Sequence, residues 1–151
     1  MCASTMVLAL GLLYCGPTGP PATPTPRPRP VPLGTEFVLA PGQASRVDGL
    51  EVRFEAVKDD SRCPVDVTCV WAGDATAVVN ARRGGTARDL ELHASGTPRE
   101  VTYEGFQITL VKLEPARRST RDIPPADYRA TLSVSRATST ASPRPSPSPG
   151  S

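Results

Sequence analysis

The chain carries one histidine, two methionines and one tryptophan in 151 residues, and aromatics make up only 5% of it. With His93 alone, no histidine cluster is there to hold a metal, and a nucleophile has only one imidazole to serve it. Long apolar runs are missing too. The most apolar stretch, Met6 to Tyr14 (MVLALGLLY), has nine residues, whereas a helix crossing a bilayer core needs about 20. No segment repeats apolar residues with the 3.6 period of an amphipathic helix. Charge of one sign is also lacking. The net charge is +2, and with Arg27, Arg29 and Arg144 in the two proline-rich ends, the rest holds one acid more than base. A basic groove is therefore not supported, and nucleic acid is not an expected partner.

Proline is plentiful, at 18 residues. Residues 16–33 read GPTGPPATPTPRPRPVPL and residues 138–151 read TSTASPRPSPSPGS. Neither stretch can bury enough apolar surface to offset its ordering entropy. The organisation expected is a leader over 1–15, a proline-rich linker over 16–33, one folded domain over 34–137 and a Ser/Pro tail over 138–151. A polyproline II linker rises ~3.1 Å per residue, so this one reaches ~50 Å.

Within 34–137 the period is 2. Leu50, Val52, Phe54 and Ala56 fall on one face of a strand, with charged residues between them. Asp48-Gly49 is a tight-turn signal that pairs this strand with Gln43 to Val47. Phe37 and Leu39 mark an earlier strand, ended by Pro41-Gly42. Ala75 to Arg82 leads through Gly84-Gly85 to Ala87–His93, where Leu90 and Leu92 point inward and His93, of opposite parity, points to solvent. Val101 and Tyr103 turn through Glu104-Gly105 into Phe106, Ile108 and Leu110, and Tyr128 to Val134 closes the series. Seven or eight short strands predict an all-β fold: a single-domain antiparallel β-sandwich, immunoglobulin-like in general architecture, with a small barrel as the alternative. The 114–126 connection (EPARRSTRDIPPA) is the longest interruption, and reads equally as a functional loop or a passive crossover.

The least generic stretch is DSRCPVDVTCVWAGDA, Asp60 to Ala75. In an oxidising compartment Cys63 and Cys69 form a disulfide, since Cys2 lies in the leader and Cys15 is a lipidation candidate. Closing so short a loop is worth ~2.4 kcal/mol by chain entropy. Zinc is disfavoured because the cysteine spacing is long and only His93 remains. Calcium could use Asp59, Asp60, Ser61 and Asp66, though in no EF-hand spacing. Neither a metal nor another cofactor is expected, and without a base-served nucleophile the chain is not read as an enzyme.

Trp71 shares the parity of Cys69, so its indole is expected to pack over the disulfide. The other reading makes the strapped segment a recognition loop, with Arg62, Pro64, Val65, Asp66, Val67 and Trp71 as its candidate residues. Arg62 would then offer a polar contact to a ligand, or pair with Asp59, Asp60 or Asp74.

These residues carry two resemblances. The apolar run before Cys15-Gly16, with Leu12 in place, resembles a bacterial lipoprotein signal, although Tyr14 stands where a small residue is usual and MCASTM carries no positive charge. Asp60-Ser61-Arg62-Cys63-Pro64, Val67 and Cys69-Val70-Trp71-Ala72-Gly73 resemble the DSRCP-x-x-V-x-C-[VI]-W-A-G signature of a family of small, uncharacterised bacterial exported proteins and lipoproteins. That resemblance implies an envelope location and a shared fold over about residues 34 to 136, and no activity. The expected function is a lipid-anchored, non-enzymatic binding module, monomeric, which meets an envelope protein or small ligand; a plain secreted protein is the alternative. Rival readings are a protease inhibitor presenting the Cys63–Cys69 loop and a calcium-stabilised envelope protein.

Overall fold

Strict alternation over four to nine residues makes strands with one wet and one dry face, and two such faces must meet. The computed structural model, which describes residues 27–138, shows nine strands and no α-helix among those residues. They are β1 (Arg29–Pro30), β2 (Glu36–Leu39), β3 (Ala44–Val47), β4 (Leu50–Lys58), β5 (Thr76–Arg83), β6 (Thr86–His93), β7 (Glu100–Tyr103), β8 (Phe106–Glu114) and β9 (Arg129–Arg136). One sheet runs β1-β3-β4-β5-β6 and the other β2-β9-β8-β7. Every pairing is antiparallel except β1 with β3. The inner faces supply one continuous core in which Leu50, Phe54, Leu92, Phe106, Ile108 and Leu132 are fully buried. Each such side chain contributes about 1.5–3 kcal/mol of burial. The expected β-sandwich with a single short-loop disulfide is the fold observed.

Connection length sorts the two ends of the sandwich. Asp48-Gly49, Gly84-Gly85 and Glu104-Gly105 are two-residue hairpin turns with positive φ at both positions. That is the primed geometry whose twist matches the strands it joins. All three lie at one end. The long connections, 59–75 between β4 and β5, 94–99 between β6 and β7, and 115–128 between β8 and β9, lie at the other.

Two expectations are corrected. Ala56 is exposed and does not continue the inward face of Leu50, Val52 and Phe54. A β-bulge after Phe54 sets Phe54 opposite Val79 and Ala56 opposite Val78, so Glu55 is the extra residue and Val57 takes the inward parity. One inserted residue reverses the faces of everything after it. The second correction concerns the linker, expected to be extended and solvated up to residue 33. Its last residues join the sheet: Arg29 and Pro30 pair with Ser45 and Arg46, Val31 N–H donates to the Arg46 carbonyl at 2.8 Å, and Val31 packs on the core. Proline is tolerated there because β1 is an edge strand. The leader with Cys15, residues 16–26 of the linker and the tail from residue 139 lie outside the described residues.

Core position and bulge together set contrasting outcomes. Phe54→Ala costs about 3–5 kcal/mol in urea unfolding. Ala56→Asp changes stability by less than about 0.5 kcal/mol, while Val57→Asp is clearly destabilising.

Candidate functional site

The cysteine stretch is the β4–β5 hairpin continued beyond its strands. Ser61 N–H donates to the Asp74 carbonyl at 2.7 Å, and Cys63 N–H to the Ala72 carbonyl at 2.9 Å. The two arms run so close that a Cβ on Gly73 would stand 1.8 Å from the backbone oxygen of Ser61, and Gly73 holds φ at +64°. Only glycine serves on both counts. Beyond this pinch the Cys63–Cys69 disulfide joins the arms, with Cα atoms 5.9 Å apart. The tip it closes turns at Pro64 to Val67, where Val67 N–H reaches the Pro64 carbonyl at 3.3 Å.

Arg62 fixes this hairpin to the neighbouring connection. Its Nε and Nη2 grip the Asp60 carboxylate at 2.8 and 2.7 Å. Its Nη1 donates to the carbonyl of Leu113 at 2.8 Å and Nη2 to that of Pro115 at 3.0 Å. Tyr128, at the start of β9, donates its hydroxyl to Asp60 Oδ2 at 2.8 Å. The ion pair is nearly dry, with side chains 13% and 10% exposed. Planar, bidentate and further hydrogen-bonded, it satisfies its own desolvation. Burial pulls the Asp60 carboxyl up, but the bonds from Arg62 and Tyr128 outweigh it and hold the group below the usual carboxylate range. Burial first, then the hydrogen bond to Asp60 and its charge, push the Tyr128 phenol up to about 12.

Two further contacts complete the end of the sandwich. Val65 N–H donates to the Arg117 carbonyl at 3.0 Å, and Asp66 accepts from the Ser119 amide at 2.9 Å and its hydroxyl at 2.7 Å. At the base, Asp74 accepts from the amides of Ser95 at 2.7 Å and Gly96 at 3.1 Å, and meets His93 Nδ1 at 2.5 Å. Burial opposes its charge, yet these bonds lower the Asp74 carboxyl to about 2. His93, expected to face solvent, is thus half-buried: its exposed parity aims it at a long connection that folds back over it.

Beside the exposed Asp66 and Thr68, the tip presents large apolar side chains to solvent. Trp71 is 83% exposed, Val70 93%, Val65 63% and Val67 47%. The expected packing of Trp71 over the disulfide is therefore corrected. Parity holds only along a strand, whereas the backbone bends at Val70 and Trp71 and the ladder resumes only at Ala72. Arg62 is corrected as a candidate ligand contact: of its three expected acids it takes Asp60, inside the fold. Pro64 shapes the turn, Asp66 is engaged by Ser119, and Val65, Val67 and Trp71 remain at the surface. The calcium set does not converge, since Asp60 serves Arg62 and Tyr128, Asp66 serves Ser119, and Ser61 Oγ bonds to the Asp74 backbone. Among the described residues, no three His, Cys, Asp or Glu side chains form a group that could hold a metal ion. Ser119 and Tyr128 as partners of the cysteine loop escaped sequence reasoning, because each lies more than 50 residues from its acid.

No protein-family model matches the chain, and no curated protein or solved structure matches it.

Removing one partner of a buried ion pair strands the other. Arg62→Met is expected to cost about 3–5 kcal/mol in chemical unfolding, with Asp60 left unpaired. Gly73→Ala destabilises as well, by more than about 1 kcal/mol. The Asp74 carboxyl falls from an ordinary 3.8 to about 2 on folding, so the folded state binds fewer protons between those values. Its contribution is present above about pH 4 and is lost as pH falls through 2. In acid unfolding, Asp74→Asn flattens the slope over that window.

Proposed function

We propose that the chain is a non-enzymatic recognition module of the bacterial envelope, exported and lipid-anchored through Cys15, which meets its partner through the Cys63–Cys69 tip. The exposure of Val70 and Trp71 on an internally bonded, disulfide-closed hairpin carries this reading. Trp71, Val70, Val67 and Val65 are exposed together on one hairpin, and clustered apolar exposure marks a contact site where scattered single residues do not. The disulfide and the bonds of Arg62, Val65 and Asp66 already hold the loop, so little ordering entropy remains to be lost on binding. The lipoprotein-like Cys15-Gly16 after a short apolar run, the disulfide and the Pro-rich linker support the address.

A protease-inhibitor reading fits less well. A cleft-binding loop is extended like a substrate strand, whereas this tip turns back at Pro64 to Val67.

A photo-cross-linking amino acid at position 71, compared with one at the exposed Arg88 on β6, tests the tip in intact cells. The reading requires an adduct at 71, to a protein or to lipid, that is absent at 88. Equal or absent adducts contradict it. The anchor is tested separately by the mass of the mature N-terminal peptide, which should begin at Cys15 and carry acyl chains; Cys15→Ser should abolish them.

A further inference from the structure

We infer that the partner of the tip is a phospholipid bilayer: Trp71, Val70, Val67 and Val65 insert at an anionic membrane surface, and Arg117, Arg118 and Arg121 meet its phosphates. This deepens the recognition reading above and rests on it.

Three observations converge. The first is shape and composition. The apolar side chains stand on a turn that projects from the end of the sandwich, not in a groove. An indole flanked by branched aliphatics matches the amphipathic boundary of a bilayer, where tryptophan is enriched. The second is the chemistry beside the tip. The 115–128 connection, tied to it through the Arg117 carbonyl and Ser119, carries Arg118 and Arg121 exposed and Arg117 half-exposed. None of the three forms a salt bridge among the described residues. Guanidinium groups suit phosphate bidentately. Asp59, Asp66, Asp74, Asp122 and Asp127 lie on the same two connections, with Asp60 paired to Arg62, so these connections offer no net attraction at long range. Insertion of the apolar tip leads, and the arginines act at contact.

The third observation is the direction of the chain. Strand β1 runs parallel to β3, and β3 runs toward the tight Asp48-Gly49 turn. Residues before Arg29 therefore lie on the long-connection side of it. Strand β9 carries the chain the other way, from Arg129 near the tip to Arg136 at the tight-turn end. An anchor upstream of residue 27 thus draws the tip toward the membrane, and the C-terminal side away from it. The distances agree: β4 runs six residues, ~20 Å, from Val52 at the level of Arg29 to Lys58 at the foot of the hairpin. The twelve steps from Cys15 to Arg27 span ~40 Å when fully extended.

Trp71 is the chain's single tryptophan, so its fluorescence reports the tip alone. The full chain bearing Cys15→Ser, which removes any acyl group there, is mixed with phosphatidylglycerol or phosphatidylcholine vesicles that carry brominated acyl chains. The proposal requires Trp71 emission to move to shorter wavelength and to be quenched by the bromines, more strongly on phosphatidylglycerol. Arg117→Gln, Arg118→Gln and Arg121→Gln should each weaken binding to those vesicles about fivefold. Val70→Ser with Val67→Ser should weaken it at least tenfold, with unchanged melting temperature confirming the fold. Vesicle-bound protein whose Trp71 stays unquenched overturns the proposal, as does absence of binding. A protein adduct from position 71 with Trp71 unquenched assigns the tip to a protein, keeping the recognition reading and sinking the lipid one. No adduct and no quenching sink both.

Discussion

The buried grip of Arg62 on Asp60 is the contact on which the rest of this end depends. It comes from two residues separated by a single serine in the chain, and it would be a minor local bond if it stopped there. The same guanidinium also reaches the carbonyls of Leu113 and Pro115, and the same carboxylate takes the Tyr128 hydroxyl. The end of β8, the start of β9 and the arm of the cysteine hairpin therefore share one polar centre. A nearly dry ion pair is stabilising only when all its remaining hydrogen-bonding capacity is used, and here no buried side-chain polar atom lacks a partner among the described residues.

From that centre the order propagates outward. The disulfide removes freedom from the tip, Gly73 lets the two arms close, and Asp66 with Ser119 ties the tip sideways to the arginine-bearing connection. Each device uses polar groups or backbone, which leaves the apolar side chains of Val65, Val67, Val70 and Trp71 without an inward place to go. At the opposite end the logic differs: three two-residue turns close the sheets, and the guanidinium carbons of Arg83 and Arg136 lie 4.7 and 4.6 Å from the Phe106 ring centroid. That end is sealed, while the tip is presented.

Much of the framework was legible in the residues. Alternation from Leu50 to Phe54 and the Asp48-Gly49 and Glu104-Gly105 turns carry local instructions, and the fold obeys them. The bulge at Glu55 did not show, because one extra residue leaves the flanking alternation intact and only reverses the faces of the residues beyond it. Strand β1 did not show because Arg-Pro reads as linker, and it becomes sheet only when Ser45 and Arg46 offer an edge. Within the site, the disulfide came from cysteine arithmetic. The direction of Trp71 did not, since it depends on a bend between Cys69 and Ala72 that no parity rule contains. The partner of Arg62 was among three acids named, but its contacts to Leu113, Pro115 and Tyr128 are tertiary and leave no local trace.

The tip is as ordered as the sheet that carries it, although its side chains face water. Amide hydrogen exchange on the oxidised protein tests this directly. The amides of Ser61, Cys63, Val65 and Ser119 each donate to a partner across the hairpin or the neighbouring connection. They are predicted to exchange as slowly as amides near the end of β4. Exchange of Cys63 and Val65 at the rate of an unstructured chain would contradict that order, and would mean that the disulfide closes a loop that nothing else holds.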